Sequence, residues 1–138
     1  MDRCFISEKA SIGKNVSFGY FVVIEDGAVI GDNCSIANNV VVHKGTVVGN
    51  DVRIDDNAVI GKQPMRAANS IFKGDEKLLE PAKIGEGSLI GAGSIVYAGC
   101  SIGDKTLIAD LAVVRENVTV GEKTIIGKGA TIENYCTI

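Results

Sequence analysis

The sequence predicts an all-β protein, a parallel β-helix built from a six-residue repeat, and two periodic features carry that prediction. The first is a large aliphatic residue or Phe at every sixth position along nearly the whole chain. The second is a small residue two positions before many of these aliphatics. A period of six preserves strand alternation, whereas a helix of about 3.6 residues per turn would spread such positions around its circumference. Short strands that each bury one large and one small side chain stack into a parallel β-helix.

The aliphatic positions form two unbroken runs on either side of one insert. The first run is Ile6, Ile12, Phe18, Ile24, Ile30, Ile36, Val42, Val48, Ile54 and Ile60. The second run is Ile84, Ile90, Val96, Ile102, Ile108, Val114, Val120, Ile126, Ile132 and Ile138. We therefore predict one domain over residues 1–138, with coils over residues 4–60 and 82–138 and an inserted loop over residues 61–83.

The small residues and the glycines divide each repeat into a strand and a corner. The small residues include Ala10, Ala28, Cys34, Ala58, Ser88, Ser94, Cys100, Ala112, Ala130 and Cys136. Glycine often follows the aliphatic, as at Gly13, Gly31, Gly61, Gly91 and Gly127. Because glycine tolerates sharp backbone turns, we expect the chain to turn its corners at these glycines.

This pattern resembles the [Ile/Leu/Val]-Gly-x-x-small-x unit of the hexapeptide-repeat acyltransferases over nearly the whole chain. The resemblance implies a left-handed parallel β-helix with triangular coils of 18 residues, three strands to a coil. It also implies a homotrimer with acyl-coenzyme A between adjacent subunits, here with acetyl-CoA as the acyl donor. Complete enzymes of this kind continue through further coils, so the chain looks like the N-terminal part of one.

With three strands to a coil, the repeats fall on three faces. Face A comprises the strands that end at Ile6, Ile24, Val42 and Ile60, face B those that end at Ile12, Ile30 and Val48, and face C those that end at Phe18, Ile36 and Ile54. Ile84 lies one coil plus one strand after Ile60, so it falls on face B. The outward residues of face A are Phe5, Val23, Val41, Val59, Ile95, Val113 and Thr131. This apolar stripe predicts a subunit interface, in which face A meets face C of a neighbour.

Polar residues collect at the corner that follows face A, namely Ser7, Glu25, His43, Gly61, Tyr97, Arg115 and Glu133. His43, the only histidine, lies one coil beyond Glu25, at a strand spacing of about 4.8 Å. Glu25 can fix the imidazole tautomer while His43 accepts a proton as the catalytic base, which is the role of a rim histidine in the similar enzymes. The alternative is that His43 is a solvated turn residue.

The insert supplies further candidate site residues. Its opening over residues 61–70, together with residues 108–121, resembles the nucleotide-linked amino-sugar N-acetyltransferases. On that basis Gln63, Arg66 and Asn69 are candidates for binding a sugar or a diphosphate. Tyr97 and Arg115, at the polar corner, are candidates for binding the same substrate. A loop of this length is usually functional, and the alternative is that it only clasps a neighbouring subunit.

Composition argues against other partners. The net charge of −3 argues against nucleic acid, because proteins that bind it show a basic face. No apolar run approaches the ~20 residues of a membrane-spanning helix and no signal peptide opens the chain, so no membrane partner and a cytoplasmic location are expected. No metal is expected either, since the zinc site of a similar hexapeptide-repeat carbonic anhydrase needs three histidines. The four cysteines, Cys4, Cys34, Cys100 and Cys136, are expected to be buried reduced thiols.

These features together predict an acyltransferase that uses acetyl-CoA to acetylate an amino group of a nucleotide-linked sugar. One alternative is a non-catalytic trimeric β-helix scaffold or a truncated fragment. Another is a sugar O-acetyltransferase. O-acetylation would depend more strongly on His43, because a hydroxyl must be deprotonated whereas a free amine need not be.

Overall fold

The computed structural model describes residues 3–69 and 78–138, and regular secondary structure in these ranges consists of 19 short strands in three sheets, one for each predicted face. Face A contains β1 (Phe5–Ile6), β4 (Val23–Ile24), β7 (Val41–Val42), β10 (Val59–Lys62), β13 (Ile95–Tyr97), β16 (Val113–Val114) and β19 (Thr131–Ile132). Face B contains β2 (Ser11–Ile12), β5 (Val29–Ile30), β8 (Val47–Val48), β11 (Lys83–Ile84), β14 (Ser101–Ile102) and β17 (Thr119–Val120). Face C contains β3 (Ser17–Phe18), β6 (Ser35–Ile36), β9 (Arg53–Ile54), β12 (Leu89–Ile90), β15 (Leu107–Ile108) and β18 (Ile125–Ile126).

Each strand pairs in parallel with the strand of the same face in the next coil. Val23 of β4 lies opposite Val41 of β7, and Lys83 of β11 lies opposite Val47 of β8. The chain therefore winds as a left-handed parallel β-helix of about seven turns, which confirms the predicted fold. The pairing of β11 with β8 also confirms that the chain re-enters face B after the insert. Within the described ranges, no helix is long and apolar enough to cross a membrane.

The core is a set of aliphatic columns that run along the axis of the helix. Its largest fully buried side chains include Ile24, Ile30, Ile36, Ile54, Ile60, Ile90 and Ile108. The small residues two positions earlier are also buried, among them Ala28, Cys34, Ala58, Ser88, Ser94 and Ala112. Burying an aliphatic side chain of this size is worth about 1.5–3 kcal/mol, so the repeat dictates which side of each strand faces inward.

The corners differ from the prediction, because the glycines that follow the aliphatics, apart from Gly61, do not have the left-handed φ that turns the chain. The left-handed φ falls two positions later, at Asn15, Phe21, Gly27, Asn33, Asn39, Gly45 and their equivalents in later coils. Gly13 is needed for close stacking instead, since a Cβ there would lie 2.7 Å from the carbonyl carbon of Gly31 in the next coil. The side chain of Asp32 uses this space, and its Oδ1 accepts a hydrogen bond from the backbone N–H of Lys14 at 2.8 Å.

The chain departs from the regular coil at Gly61, where β10 is irregular, and it resumes the regular corner at Glu80. The carbonyl of Glu80 accepts a hydrogen bond from the N–H of Gly99 in the next coil at 2.6 Å. Ala82 is buried at the inward small position, and its carbonyl accepts from the N–H of Val47 at 3.0 Å. The two ends of the insert therefore meet the helix at the same corner. Residues 70–77 of the predicted insert lie outside the described residues.

Candidate active site

Glu25 and His43 stand one above the other at the corner that follows face A. Each comes directly after a strand, β4 or β7, and these strands pair in register, so residues 18 apart in sequence meet. Nδ1 of His43 lies 2.9 Å from Oε1 of Glu25. The backbone N–H of Lys44 donates to the same oxygen at 3.3 Å. These two contacts anchor the carboxylate at the rim of the helix.

The contact with Glu25 determines which nitrogen of His43 is available for chemistry. An ionised carboxylate only accepts hydrogen bonds, so Nδ1 of the neutral imidazole carries the proton. Nε2 then keeps its lone pair. The side chains of His43 and Glu25 are 34% and 32% exposed, so the pair is open to solvent. This arrangement suits proton abstraction from an incoming nucleophile.

The insert begins directly beside this pair. The carbonyl of Ile60 accepts a hydrogen bond from the N–H of His43 at 2.9 Å, and Gly61 follows with a left-handed φ of 87°. A Cβ at Gly61 would lie 3.3 Å from Cβ of His43 and would overlap Oγ1 of Thr46. The point at which the insert leaves the helix is therefore packed against the corner that carries His43.

Thr46 is a residue of this region that the sequence reasoning missed. Its side chain is fully buried, and among the described residues Oγ1 has no hydrogen-bond partner. The equivalent hydroxyl of Ser88 donates to the carbonyl of Gly103, 15 residues later, at 2.9 Å. The equivalent acceptor for Thr46 is the carbonyl of Gly61, where the chain turns away into the insert. The sequence signal that could have identified Thr46 is a hydroxyl residue at an inward position 15 residues before Gly61, where the first run of repeats ends.

Tyr97 and Arg115 occupy the same corner in later coils. Cζ of Arg115 lies 4.8 Å from the centroid of the Tyr97 ring, and Nζ of Lys62 lies 5.4 Å from it. Nε of Arg115 also donates to Oε1 of Glu116 at 2.9 Å. Desolvation works to lower the pKa of Arg115, but the hydrogen bond and the charge of Glu116 raise it overall. The Tyr97 ring therefore contacts cations from the coils on both sides of it, Lys62 in β10 and Arg115 directly after β16.

The insert residues proposed from the sequence differ in their surroundings, since Gln63 is half-buried and Arg66 and Asn69 are exposed. The amide of Gln63 is already in use, because its Nε2 donates to the carbonyl of Leu79 at 3.2 Å and its Oε1 accepts from the N–H of Leu79 at 3.0 Å. Gln63 is thus hydrogen-bonded to Leu79, where the chain returns to the helix. The substrate-binding roles of Gln63, Arg66 and Asn69 stay predictions.

An open depression of about 140 Å³ lies near the corner between faces C and A. It is lined by Arg53, Asp55, Leu89, Ile90, Gly91, Leu107 and Asp110. Nε of Arg53 donates to Oδ1 of Asp55 at 2.7 Å, and this contact raises the pKa of Arg53. Oδ1 of Asp110 accepts from a backbone N–H at 2.9 Å. Because His43, the only histidine in the sequence, does not line this depression, we place the candidate active site at the His43 rim.

The cysteines are free thiols, as predicted, although only two of them are fully buried. Cys34 and Cys100 lie in the core, and burial raises the pKa of both thiols. Cys4 and Cys136 are half-buried, because they lie in the first and last coils of the described helix. Among residues 3–69 and 78–138, no group of three or more His, Cys, Asp or Glu side chains is placed to hold a metal ion.

The repeat matches a family of bacterial transferases, and the fold is similar to that of solved acyltransferases. A family profile described as bacterial transferase hexapeptide (six repeats) matches residues 9–44 and 81–116, together just over half of the chain. No curated protein matches the sequence significantly. UDP-N-acetylglucosamine O-acyltransferase (LpxA) from Moraxella catarrhalis has a similar structure, with a TM-score of 0.74 and 19% identity over 100% of this chain and 61% of that one.

Two other solved structures are similar to this chain over nearly its whole length. LpxA from Acinetobacter baumannii gives a TM-score of 0.72 at 21% identity, over 99% of this chain and 60% of that one. A hexapeptide transferase family protein from Anaplasma phagocytophilum gives 0.67 at 20% identity, over 97% and 68%. The chain spans about three fifths of the length of the two LpxA enzymes. At these identities the similarity concerns the fold.

Proposed function

Because the chain belongs to the bacterial hexapeptide-repeat transferase family, we propose that it moves the acetyl group of acetyl-CoA to an amino group of a nucleotide-linked sugar. The observation that carries this proposal is the contact of 2.9 Å between Nδ1 of His43 and Oε1 of Glu25 at an accessible rim. A histidine held in this way presents Nε2 as a general base. The insert begins beside the pair, which supports a role for it in binding the acceptor.

In the proposed reaction the acceptor amine attacks the carbonyl carbon of the thioester. The C–N bond forms while Nε2 of His43 takes one proton from the nitrogen, and the Glu25 carboxylate stabilises the imidazolium that results. The C–S bond then breaks, and the sulfur of coenzyme A receives the proton from His43. The products are an acetamido sugar and free coenzyme A. General-base assistance of this kind accelerates a reaction by about 100-fold to 10,000-fold.

The proposed active unit is a homotrimer with its clefts between subunits. The outward side chains of face A include Phe5, which is 60% exposed, and a row of half-buried aliphatic side chains. Face C presents Leu89 and Ile125 outward, and both are exposed. Pairing face A of one subunit with face C of the next would remove this apolar surface from water at about 25 cal/mol per Å². The His43 corner would then border each cleft.

The acceptor is proposed to lie along the corner from His43 toward Arg115. Its amine would approach Nε2 of His43, and its negatively charged diphosphate would extend toward the guanidinium of Arg115 and the ring of Tyr97. Arg66 and Asn69 would contact the sugar or the diphosphate from the insert. This order of groups along the corner matches a sugar that carries its reactive amine at one end and a nucleotide at the other.

We place the reaction in the cytoplasm. The four cysteines are all free thiols, and thiols persist in a reducing compartment. Acetyl-CoA is proposed as a co-substrate, and the residues at the rim supply a base and a carboxylate without requiring a metal.

The test is calorimetric titration of the purified protein with acetyl-CoA, together with its mass in solution. We expect saturable binding by a trimer, and we expect His43→Asn to bind acetyl-CoA with the same Kd, since His43 acts on the acceptor proton. Ser101→Ala, on the exposed side of face B, is the control and should match the wild type in both measurements. A trimer that does not bind acetyl-CoA would refute the proposal and would favour a scaffold.

A further inference from the structure

The side-chain amide of Gln63 makes the same two hydrogen bonds that a peptide group makes in a sheet. Its Nε2 donates to the carbonyl of Leu79 at 3.2 Å, and its Oε1 accepts from the N–H of the same residue at 3.0 Å. Gln63 and Leu79 are both half-buried, so water competes only in part for these bonds. A side chain that is both donor and acceptor is required, and Gln supplies both groups on one planar amide.

The two stems that Gln63 joins are each fixed to the helix at their base. On the outgoing side, the carbonyl of Lys62 accepts a hydrogen bond from the N–H of Ala98 at 2.8 Å. On the returning side, Cγ of Pro81 packs so tightly on Gly45 that a Cβ there would lie 2.7 Å from it. Both stems therefore meet the helix within one coil of His43, and the amide of Gln63 closes the loop just beyond these attachments.

We infer that Gln63 is a positioning residue for the acceptor rather than a residue that touches substrate. Its amide fixes the base of the insert, so residues 64–69, including Arg66 and Asn69, keep a constant place relative to His43. This inference rests on the proposed function, because it assigns the insert to acceptor binding. His43 is held independently of the insert, through Glu25 and β7, so the base itself does not depend on Gln63.

Two substitutions at Gln63 test whether it acts through its hydrogen bonds to Leu79 or through direct contact with substrate. Gln63→Leu keeps a similar volume and removes both hydrogen bonds. Gln63→Glu keeps an acceptor for the N–H of Leu79 but places a carboxylate oxygen against the Leu79 carbonyl, which leaves that pair repulsive. Ser101→Ala on the outside of face B is the matched control, because it also removes polar atoms but lies on another face.

The first readout is the mobility of the insert. In Gln63→Leu we expect the N–H of Leu79 to exchange with deuterium about tenfold faster, while the N–H of Val47 in the core is unchanged. Tryptic cleavage after Arg66 should accelerate in parallel. The second readout is steady-state kinetics with a nucleotide-linked amino sugar. The KM for the acceptor should rise about tenfold in Gln63→Leu, with kcat, its pH profile and the Kd for acetyl-CoA unchanged.

Three results would overturn the inference. Unchanged deuterium exchange at Leu79 in both variants would show that the hydrogen bonds of Gln63 do not hold the insert. Faster exchange with an unchanged acceptor KM would show that the insert does not position the acceptor. A raised KM without any change in exchange or cleavage would show that Gln63 binds substrate directly. If the wild type transfers no acetyl group, the proposed function fails, and exchange at Leu79 still decides whether Gln63 closes the insert.

Discussion

Gly61 lies against Thr46 so closely that no side-chain atom fits on Gly61 without overlapping Oγ1 of Thr46. In a regular coil the hydroxyl at this inward position has a carbonyl to bond, as Ser88 has in Gly103. At Gly61 the chain instead adopts a left-handed φ and departs into the insert. One buried hydroxyl is therefore left without a partner among the described residues, directly beside the candidate base.

Replacing Thr46 with Val should stabilise the protein. The substitution removes a buried hydroxyl that has no hydrogen-bond partner within the described ranges and keeps the shape of the side chain, so the free energy of unfolding should rise by about 1–2 kcal/mol. The measurement is the urea midpoint. Thr106→Val is the matched control, since Oγ1 of Thr106 donates to Gly121 at 2.8 Å and its loss should lower the midpoint. Changes of the same sign in both variants would contradict this account.

Replacing Gly61 with Ala should destabilise the protein by two separable effects. The left-handed φ of 87° disfavours any side chain by about 1 kcal/mol, and the overlap with Thr46 adds about 1–3 kcal/mol. Gly129→Ala isolates the first effect, because Gly129 has a φ of 68° and a Cβ added there would meet no described atom within 4 Å. Chemical denaturation of both variants gives the difference. Equal losses of stability would show that the contact with Thr46 contributes nothing.

Placing a charge on face A should dissociate the proposed trimer without unfolding the subunit. Val41→Lys puts an ammonium group in the apolar stripe on β7. Val29→Lys makes the same change on β5 of face B, at a position that is already 38% exposed. Analytical ultracentrifugation should show monomers for Val41→Lys and trimers for Val29→Lys, with the same strand signal in circular dichroism. Two trimeric variants would place the interface elsewhere.

The buried thiol of Cys100 should make the protein less stable at alkaline pH. Burial raises the pKa of Cys100 in the folded protein, so the folded state holds the thiol proton more tightly than the unfolded state does. The stabilisation from this protonated thiol is complete below the pKa of an unfolded cysteine, about 8.5. It declines as the pH rises from there toward the higher pKa of Cys100 in the folded protein. Urea midpoints from neutral to alkaline pH should fall less steeply for Cys100→Ala. An identical decline in that variant would rule out this thiol as a cause.

Most of the fold was predictable because one physical signal repeats along the chain. Each buried aliphatic, such as Ile24 or Ile90, must face inward, and strand alternation then sets every other position. Apart from the corner at Gly61, the corners were predicted wrongly, because a glycine that permits close stacking and a glycine that permits a left-handed φ look the same in sequence. Gly13 serves the first purpose, whereas Asn15, two residues later, has the left-handed φ.

The candidate site was predictable only where it follows the repeat. The meeting of Glu25 with His43 was expected from their spacing, because residues one coil apart stack in register. The hydrogen bonds between Gln63 and Leu79 join residues 16 apart, outside the six-residue repeat, so the repeat could not predict them. The unpaired hydroxyl of Thr46 depends on where the insert leaves the helix, which is a property of the folded corner in the described part of the chain.

Acetyl transfer at the His43 rim is measured by the release of coenzyme A from acetyl-CoA in the presence of a panel of nucleotide-linked amino sugars. We predict release matched by an acetamido product for at least one amino sugar, and a rate at least about 100-fold lower for His43→Asn. Ser101→Ala is the control and should retain the wild-type rate. Equal rates for the wild type and His43→Asn would contradict the assignment of His43 as the base, and no release with any amino sugar would contradict acetyl transfer to an amine.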